Sequence, residues 1–269
     1  MESWWYDTHA HLDFPDFSGD LEAVLQRARA AGVSRIVTIG TDLASSERAI
    51  GLTGRYAGLF AAAGWHPGHV EEAPDDIRET LRTLAKQPGV CALGETGMDF
   101  YRLPSGRGGT VEDDALYKAR QARLFEQHLE VAAETGLNCV IHTRDSMEAT
   151  LEIFRAYASR VRAVFHCFVG SVEELKAIMD LGSLVSFTGI VTFKNAATVA
   201  EAVKAAPRER FMVETDAPFL SPVPYRGKRC EPAYAALTGQ RIAELRGEAA
   251  EDVARRTCLA AHEFFRGFH

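Results

Sequence analysis

The chain has 269 residues, of which 46% are hydrophobic and 25% charged, and its formal net charge is -7. This composition is ordinary for a globular protein. The negative charge argues against a protein that binds nucleic acid simply through a basic surface. It does not exclude a protein that carries bound cations, because the charge count leaves those cations out.

The sequence gives no sign of a membrane segment or an export signal. It contains no run of about 18 apolar residues, as a spanning helix would need. The first seven residues, MESWWYD, lack the basic start and long apolar stretch of a signal peptide. The five cysteines are scattered and form no C-x-x-C pair, so we expect them to be reduced. We therefore expect a soluble, cytoplasmic protein without membrane contact.

Short apolar runs alternate with amphipathic stretches along the whole chain. Several runs are continuously apolar, which is typical of parallel strands that are covered by helices. The predicted strands are Trp4–Asp7, Arg35–Ile39, Leu59–Gly64, Val90–Leu93, Asn138–Ile141, Arg162–Phe165, Ser183–Phe187 and Arg210–Val213.

The segments between these runs have helical signals. Apolar residues from Leu21 to Ala28 follow helical spacing before Gly32. Ser171 and Glu174 form the pattern of a capping box, and Gly182 ends the helix that follows. The tail from about Pro232 to Phe265 predicts one or two closing helices.

Eight alternations of strand and helix predict an α/β fold, a (β/α)8 TIM barrel that forms a single domain over residues 1–269. The length fits such a barrel, which needs about 250 residues, although two small domains would also fit. A doubly wound open sheet is the alternative architecture. It is disfavoured because no Gly-x-Gly-x-x-Gly follows the first strand.

One connection is unusually long. Residues 102–109 (RLPSGRGG) and the acidic stretch Glu112–Asp114 predict a polar loop over about residues 102–116, after the fourth strand. In a barrel this loop lies on the face where active sites form. It is either a mobile surface insertion or a lid over a substrate.

Possible metal ligands end five of the predicted strands. His9 and His11 are two residues apart in an extended segment, so both point the same way. The carboxyl ends of barrel strands converge on one face, so ligands from different strands meet there. The six candidate ligands are His9, His11, Glu95, His142, His166 and Asp216.

This ligand set predicts two or three divalent cations, drawn from Mg²⁺, Mn²⁺ and Zn²⁺. Six side chains exceed what one tetrahedral ion needs, and two ions about 3.5–4 Å apart with a shared carboxylate fit better. Glu95 is the candidate for that shared carboxylate, since its strand lies between the two groups of histidines.

Further polar residues follow the same strand ends and are candidates for substrate binding. The loop at residues 222–229 carries three cations, which predict either phosphate binding or a solvated charge run. The candidate substrate contacts are His66, His69, Tyr101, Arg144, Lys194, Glu214 and Arg229.

Seven motifs together resemble the TatD-related deoxyribonucleases of the metal-dependent hydrolase superfamily, over nearly the whole chain. The resemblance implies a TIM-type barrel, two or more divalent ions held by the same six ligands, and hydrolysis of DNA phosphodiesters, often from the 3′ end. The motifs are DTHAHLD (7–13), GWHP (64–67), GETGMDFY (94–101), IHTRD (141–145), HCFVG (166–170), SFTG (186–189) and ETDAPFL (214–220).

The chain departs from the family pattern at positions around the metal ligands. Gly68 stands where the family often has histidine, and His69 is the possible substitute. Cys230 and His128 replace an asparagine and a glutamine. None of these departures removes a candidate ligand, but they bear on substrate preference.

The resemblance therefore implies a 3′–5′ exonuclease acting on single-stranded DNA ends, and we expect no obligate protein partner. Glu95, Asp216 and His66 are the candidate catalytic residues: Asp216 would also accept a proton from water, and His66 would contact phosphate or protonate the leaving group.

Two alternatives remain at this stage. The first is a metal-dependent hydrolase of another ester or amide, such as an aminoacyl-tRNA deacylase. Many amidohydrolases carry a carboxylated lysine where this chain has Glu95, which favours the nuclease. The second is a metal-stabilised binding module without enzyme activity, which would have a closed coordination shell.

Overall fold

The structure is a computed structural model that describes residues 5–268. Trp4 of the first predicted strand lies outside the described residues. Every predicted strand is present, most of them within two residues of the predicted start. The strands are β1 Trp5–Ala10, β2 Val33–Ile39, β3 Leu59–Ala63, β4 Val90–Asp99, β5 Cys139–Arg144, β6 Ala163–Phe165, β7 Leu184–Phe187 and β8 Phe211–Val213.

Helices follow the strands in alternation, and two helices close the chain. None of the helices between residues 5 and 268 is long and apolar enough to cross a bilayer. The helices are α1 Leu21–Ala30, α2 Leu43–Thr53, α3 Arg78–Ala85, α4 Val111–Thr135, α5 Met147–Arg155, α6 Val172–Asp180, α7 Ala197–Ala205, α8 Ala235–Arg246 and α9 Ala250–Phe264.

The eight strands form one parallel sheet in chain order, β1 to β8. Residues just after β8 bring that end of the sheet against β1. The Asp216 amide donates to the His9 carbonyl (2.8 Å), and the His11 amide donates to the Ala217 carbonyl (2.7 Å). The predicted (β/α)8 barrel is confirmed. This closure also carries Asp216 directly to His9 and His11.

The barrel interior is a packed core that α9 closes from one end. Small and branched side chains from the strands, such as Val37, Ala62 and Val140, cluster with Phe265 and Phe268 from the α9 end of the chain. Alternating strand residues that fill a barrel in this way leave no pore. The opposite end, where the strands have their carboxyl termini, is left for a functional site.

The fourth strand and the loop after it differ from the prediction. β4 continues to Asp99, six residues beyond the predicted end, because its second half pairs with β5 from Thr96↔Ile141 to Asp99↔Arg144. The acidic stretch Glu112–Asp114 is not loop but the first turn of α4. Thr110 and Asp113 form a capping box there, and acidic side chains are favoured at the positive end of a helix dipole.

Candidate functional site

Two histidines from β1 lie at the centre of the barrel rim. The His9 side chain is fully buried and His11 is nearly so. Their ring centres are 5.1 Å apart. His11 Nδ1 lies 3.1 Å from the Ile39 carbonyl oxygen. A carbonyl can only accept, so this contact places the proton on Nδ1 and leaves Nε2 of the neutral ring free to bind a cation.

Glu95 is the central carboxylate, and its two oxygens face different histidines. Oε1 lies 2.7 Å from His166 Nε2 and 2.9 Å from His142 Nδ1. Oε2 lies 3.5 Å from His9 Nε2 and 3.8 Å from His11 Nε2. The carboxylate thus stands between two pairs of imidazoles, each of which it approaches with a separate oxygen.

Asp216 completes the group around Glu95 Oε2. Its Oδ1 lies 3.4 Å from His11 Nε2 and 3.7 Å from His9 Nε2. Ligand atoms held about 2.1 Å from a tetrahedral ion lie about 3.4 Å from one another. The separations among these donor atoms match that spacing. Asp216 also has a positive φ of 60°, a conformation that aspartate tolerates better than most residues.

Unpartnered atoms give independent support for a cation in this group. His9 Nε2 is buried and has no hydrogen-bond partner among the described residues. Leaving a buried polar atom unsatisfied costs about 1–3 kcal/mol. A cation between His9, His11, Glu95 and Asp216 would remove that cost, so the residues present fit a metal ion.

The charges at the centre also suit a cation. Burial alone would raise the pKa of Glu95, but the surrounding histidines, led by His166, hold that pKa well below its usual range. Burial of His166 opposes its protonation, yet Glu95 and Glu214 raise its pKa well above the ordinary value. Positive charge is therefore favoured between these side chains, and a divalent ion would supply it.

Asp99 belongs to the site although sequence reasoning did not select it. Its Oδ2 lies 3.2 Å from His142 Nε2. Glu95 and Asp99 are four residues apart on a strand, so both point to the same side. The motif GETGMD contains this four-residue spacing of carboxylates, but the spacing indicates a shared face only if β4 continues beyond Leu93.

His66 lies at the cavity side of the centre. Its Nδ1 accepts a hydrogen bond from the Gly68 amide (2.9 Å), and its Nε2 lies 3.7 Å from Glu95 Oε1. Burial lowers the pKa of His66 to about 3, against the attraction of Glu95. The neutral ring therefore carries its proton on Nε2, where it can be donated to a bound oxygen.

Glu214 lies beneath the centre rather than in the cavity. It is 1% exposed. Its two oxygens accept from the Cys167 amide (2.7 Å) and the Ser186 hydroxyl (2.6 Å), and Oε1 lies 3.5 Å from His166 Nδ1. Glu214, a predicted substrate contact, therefore lies behind the His166 ring and not in the cavity lining. A carboxylate at that position orients the imidazole.

Asp7 is a second buried carboxylate that the sequence reasoning passed over. It accepts from the amide and the hydroxyl of Thr215 at 2.9 and 2.6 Å. These bonds tie β1 to the segment before Asp216. Asp7 therefore helps to hold that segment beside the two β1 histidines.

The cavity above the centre has a volume of about 880 Å³, which is at the upper end of pockets that bury drug-sized ligands. Three of the candidate substrate contacts, His66, His69 and Arg144, line it. His69 lies on the side of the cavity next to Asp42, with 3.8 Å between His69 Nδ1 and Asp42 Oδ2. Tyr101 is not part of the lining, but its ring stacks against Arg144, 3.5 Å from Cζ to the ring centre.

The remaining predicted substrate contacts lie elsewhere. Arg229 donates to Asp20 (2.7 and 2.8 Å) and to Glu231 (3.0 Å), so its guanidinium is held in an ion-pair cluster beside α1. Lys194 is exposed after β7 and does not line the cavity. Arg226 stacks on Phe193, 3.8 Å from the ring centre. The loop at residues 222–229 therefore adds no cation to the cavity lining.

Helix α4 ties the loops of the site together from behind. The fully buried Gln121 donates from Nε2 to the carbonyls of Pro67 and Asp99, both at 3.1 Å, and accepts from the Asp99 amide at 3.0 Å. His128 accepts from the Trp65 amide at 3.0 Å and contacts the Leu124 carbonyl through Nδ1. One helix thus fixes the segments that carry His66 and Asp99.

The variant His128→Gln tests the contact between α4 and Trp65 through the pH dependence of stability. Burial lowers the pKa of His128 to about 4 from an unfolded value of 6.5. The stability that neutral His128 contributes is complete above pH 6.5 and is lost as the pH falls towards 4. The lost stability is about 3 kcal/mol, because each unit of pKa shift corresponds to about 1.36 kcal/mol.

Glutamine can accept from Trp65 but does not titrate between these pH values. We therefore expect the variant to lose about 3 kcal/mol less stability than the parent between pH 7 and pH 4, measured by urea unfolding at both pH values. Parallel pH curves for the two proteins would show that His128 is not held neutral.

One known protein family matches almost the whole chain. A profile of the family described as "TatD related DNase" matches residues 6–266. The chain is 37% identical over 262 residues to the uncharacterized metal-dependent hydrolase YabD of Bacillus subtilis, covering 97% of this chain and 98% of that protein. It is 35% identical over 252 residues to the 3′-5′ ssDNA/RNA exonuclease TatD of Enterobacter lignolyticus, covering 91% and 93%.

A solved structure agrees with the sequence matches. The crystal structure of YJJV, a TatD homologue from Escherichia coli, superposes with a TM-score of 0.89 at 30% identity, over 98% of this chain and 99% of that one. The family match spans the barrel and every side chain of the centre described above. The chain belongs to the TatD-related DNase family.

Proposed function

We propose that the protein is a divalent-metal-dependent deoxyribonuclease that removes nucleotides from the 3′ end of single-stranded DNA. The observation that carries the proposal is the Glu95 carboxylate, which faces two separate groups of nitrogen ligands with its two oxygens. Such a carboxylate suits a pair of ions that share it. The names of the relatives that are called 3′-5′ ssDNA/RNA exonucleases support the substrate class.

The proposed ligands fall into two groups that share Glu95. His9, His11 and Asp216 would hold one ion with Oε2, and His142 and His166 would hold the other with Oε1. Donor atoms within each histidine–glutamate group lie within 4.8 Å of one another. The donors of His66, Asp99 and His142 are equally close, but the Nε2 atom of His66 carries a proton, so we assign this residue to the substrate and not to a third ion.

When bound, such ions lower the pKa of water and neutralise charge on the phosphate. Asp216 has a side chain that is 15% exposed, against 3% for Glu95, so Asp216 is the better placed carboxylate to accept a proton from the attacking water. The Nε2–H group of His66 would donate to a phosphate oxygen or to the leaving oxygen. Arg144 would pair with a neighbouring phosphate.

An ester or amide hydrolase is the second candidate. The barrel does not favour it, because Glu95 occupies the position that a carboxylated lysine takes in many amidohydrolases, and the cavity lining found within residues 5–268 includes no lysine. A non-enzymatic module is disfavoured by the same cavity, which opens onto the ligands and leaves room for water or substrate beside the ions.

The test compares two substrates on one preparation. Protein stripped by chelator and reloaded with Mg²⁺, Mn²⁺ or Zn²⁺ is expected to shorten 5′-labelled single-stranded DNA one nucleotide at a time from the 3′ end. An aminoacyl-tRNA assayed in parallel is expected to stay intact. Deacylation of the tRNA without DNA cleavage would replace this function with the ester hydrolase.

A further inference from the structure

One side of the cavity carries a set of cations that the metal centre does not use. We call Arg102, Arg107 and Arg144 the arginine wall; all three line the cavity and are exposed. Arg102 and Arg107 come from the loop between β4 and α4, and Arg144 ends β5. The chain as a whole has more acidic than basic residues, 37 against 30, so this grouping differs from the average surface.

Two members of the wall have guanidinium groups that are available to an anion. Within the described part of the chain, neither Arg102 nor Arg144 pairs with a carboxylate; both contact the ring of Tyr101, at 5.9 and 3.5 Å from Cζ to the ring centre. Stacking on a ring orients a guanidinium and leaves its N–H groups free in their plane. Tyr101 therefore orients the guanidinium of Arg144 at the cavity edge, and the guanidinium of Arg102 lies near the same ring.

The third member is tethered and still partly free. Arg107 lies 3.2 Å from Glu71 through one terminal nitrogen, and the two side chains are 48% and 55% exposed. Its Cζ also lies 5.6 Å from the centre of the Tyr117 ring. An ion pair this exposed is weak, so a phosphate in the cavity can compete for the guanidinium.

Two acids at the start of α4 are already hydrogen-bonded to the loop, whereas Arg102 pairs with no acid within the described residues and Arg107 pairs only with Glu71. Asp114 accepts from the Ser105 amide and hydroxyl at 2.8 and 2.7 Å. Asp113 closes the capping box with Thr110. These bonds fix the loop on the start of α4, and they direct its negative charge to the backbone instead of the cavity. The loop is thus a fixed cationic edge of the cavity.

We propose that the arginine wall binds the phosphates that neighbour the scissile one, so that the enzyme acts on strands of several nucleotides in preference to small diesters. This inference rests on the function proposed above and adds Arg102 and Arg107 to it. Each phosphate contact on a single strand contributes about 0.7 to the slope of log affinity against log salt concentration. Three contacts predict a slope of about -2.

The experiment measures binding rather than cleavage. A fluorescent ten-nucleotide oligothymidylate is titrated with chelator-treated protein at several salt concentrations, and anisotropy gives the affinity. The double variant Arg102→Ala/Arg107→Ala is expected to flatten the slope by about 1.4, which is two contacts at about 0.7 each.

The matched control removes the same net charge elsewhere. Arg241 on α8 and Arg255 on α9 have side chains that are 43% and 68% exposed, and each pairs with an acid three residues away. Neither lines the cavity. Arg241→Ala/Arg255→Ala is expected to keep the slope of the parent. An equal slope for the parent and the Arg102/Arg107 variant, or no binding by the parent at low salt, would overturn the inference.

A separate arm keeps the two proposals apart. Metal-loaded parent protein is assayed on bis(p-nitrophenyl) phosphate and on the ten-nucleotide strand. Inactivity on both would reject the phosphodiesterase function itself, whatever the salt slopes. Activity on both with equal kcat/KM would keep that function and reject the arginine wall, for which we expect a clear preference for the strand.

Discussion

Replacing Glu95 with glutamine is expected to abolish most of the activity while leaving the barrel folded. The amide keeps the size of the side chain but loses the charge that both groups of histidines face. Ions that stabilise a phosphoryl transition state contribute several kcal/mol, and each 1.36 kcal/mol is tenfold in rate. We therefore expect a fall in kcat/KM of at least about 10³-fold on single-stranded DNA.

Metal content should change together with the rate. Glu95→Asp is the informative partner variant, because it keeps the charge but shortens the side chain, so that one carboxylate no longer reaches both groups. Each variant, after loading and desalting, is expected to retain fewer ions per chain than the parent by elemental analysis. Full metal content in Glu95→Gln, with activity within tenfold of the parent, would contradict the role given to this residue.

Phe265→Ala is expected to have the largest effect on stability. The side chain is 2% exposed, with ring centres 4.9 Å from Phe264 and 5.2 Å from Phe268. It belongs to the cluster that closes the barrel interior. Truncating a buried phenylalanine costs about 3–5 kcal/mol. At about 2–4 °C per kcal/mol for a domain of nearly this size, Tm should fall by roughly 10 °C.

Leu259→Ala, in the helix that ends just before Phe265, is the control. That side chain is 51% exposed, and surface substitutions usually change stability by less than about 0.5 kcal/mol. The two variants are compared by thermal unfolding without added metal. Similar Tm values for both would mean that α9 does not close the barrel as described.

The strands were predictable because buried strands consist of continuous apolar runs in the sequence. β2, β3 and β5 to β8 begin within two residues of the prediction. The second half of β4 was missed because glycines and polar residues interrupt the run at Gly94 to Gly97. Those residues belong to the strand through pairing with β5, and such pairing is not visible in a local pattern.

The ligands gathered as expected because strand ends in a barrel converge on one rim. His9, Glu95 and Asp216 are positioned by backbone that the sheet fixes, so their sequence positions were sufficient to place them. Arg229 and Lys194 lie on connections whose course depends on tertiary contacts. Arg229 pairs with Glu231, two residues away, and with Asp20, which is distant in the sequence. A partner that distant is not visible in a local pattern.

Crystals grown with Mn²⁺ or Zn²⁺ give the most direct test, through anomalous scattering from the ions. We expect two peaks about 3.5–4 Å apart, one beside each oxygen of Glu95, with His9, His11 and Asp216 at the first and His142 and His166 at the second. A protein that binds its ions elsewhere, with no peak next to Glu95, would contradict this expectation.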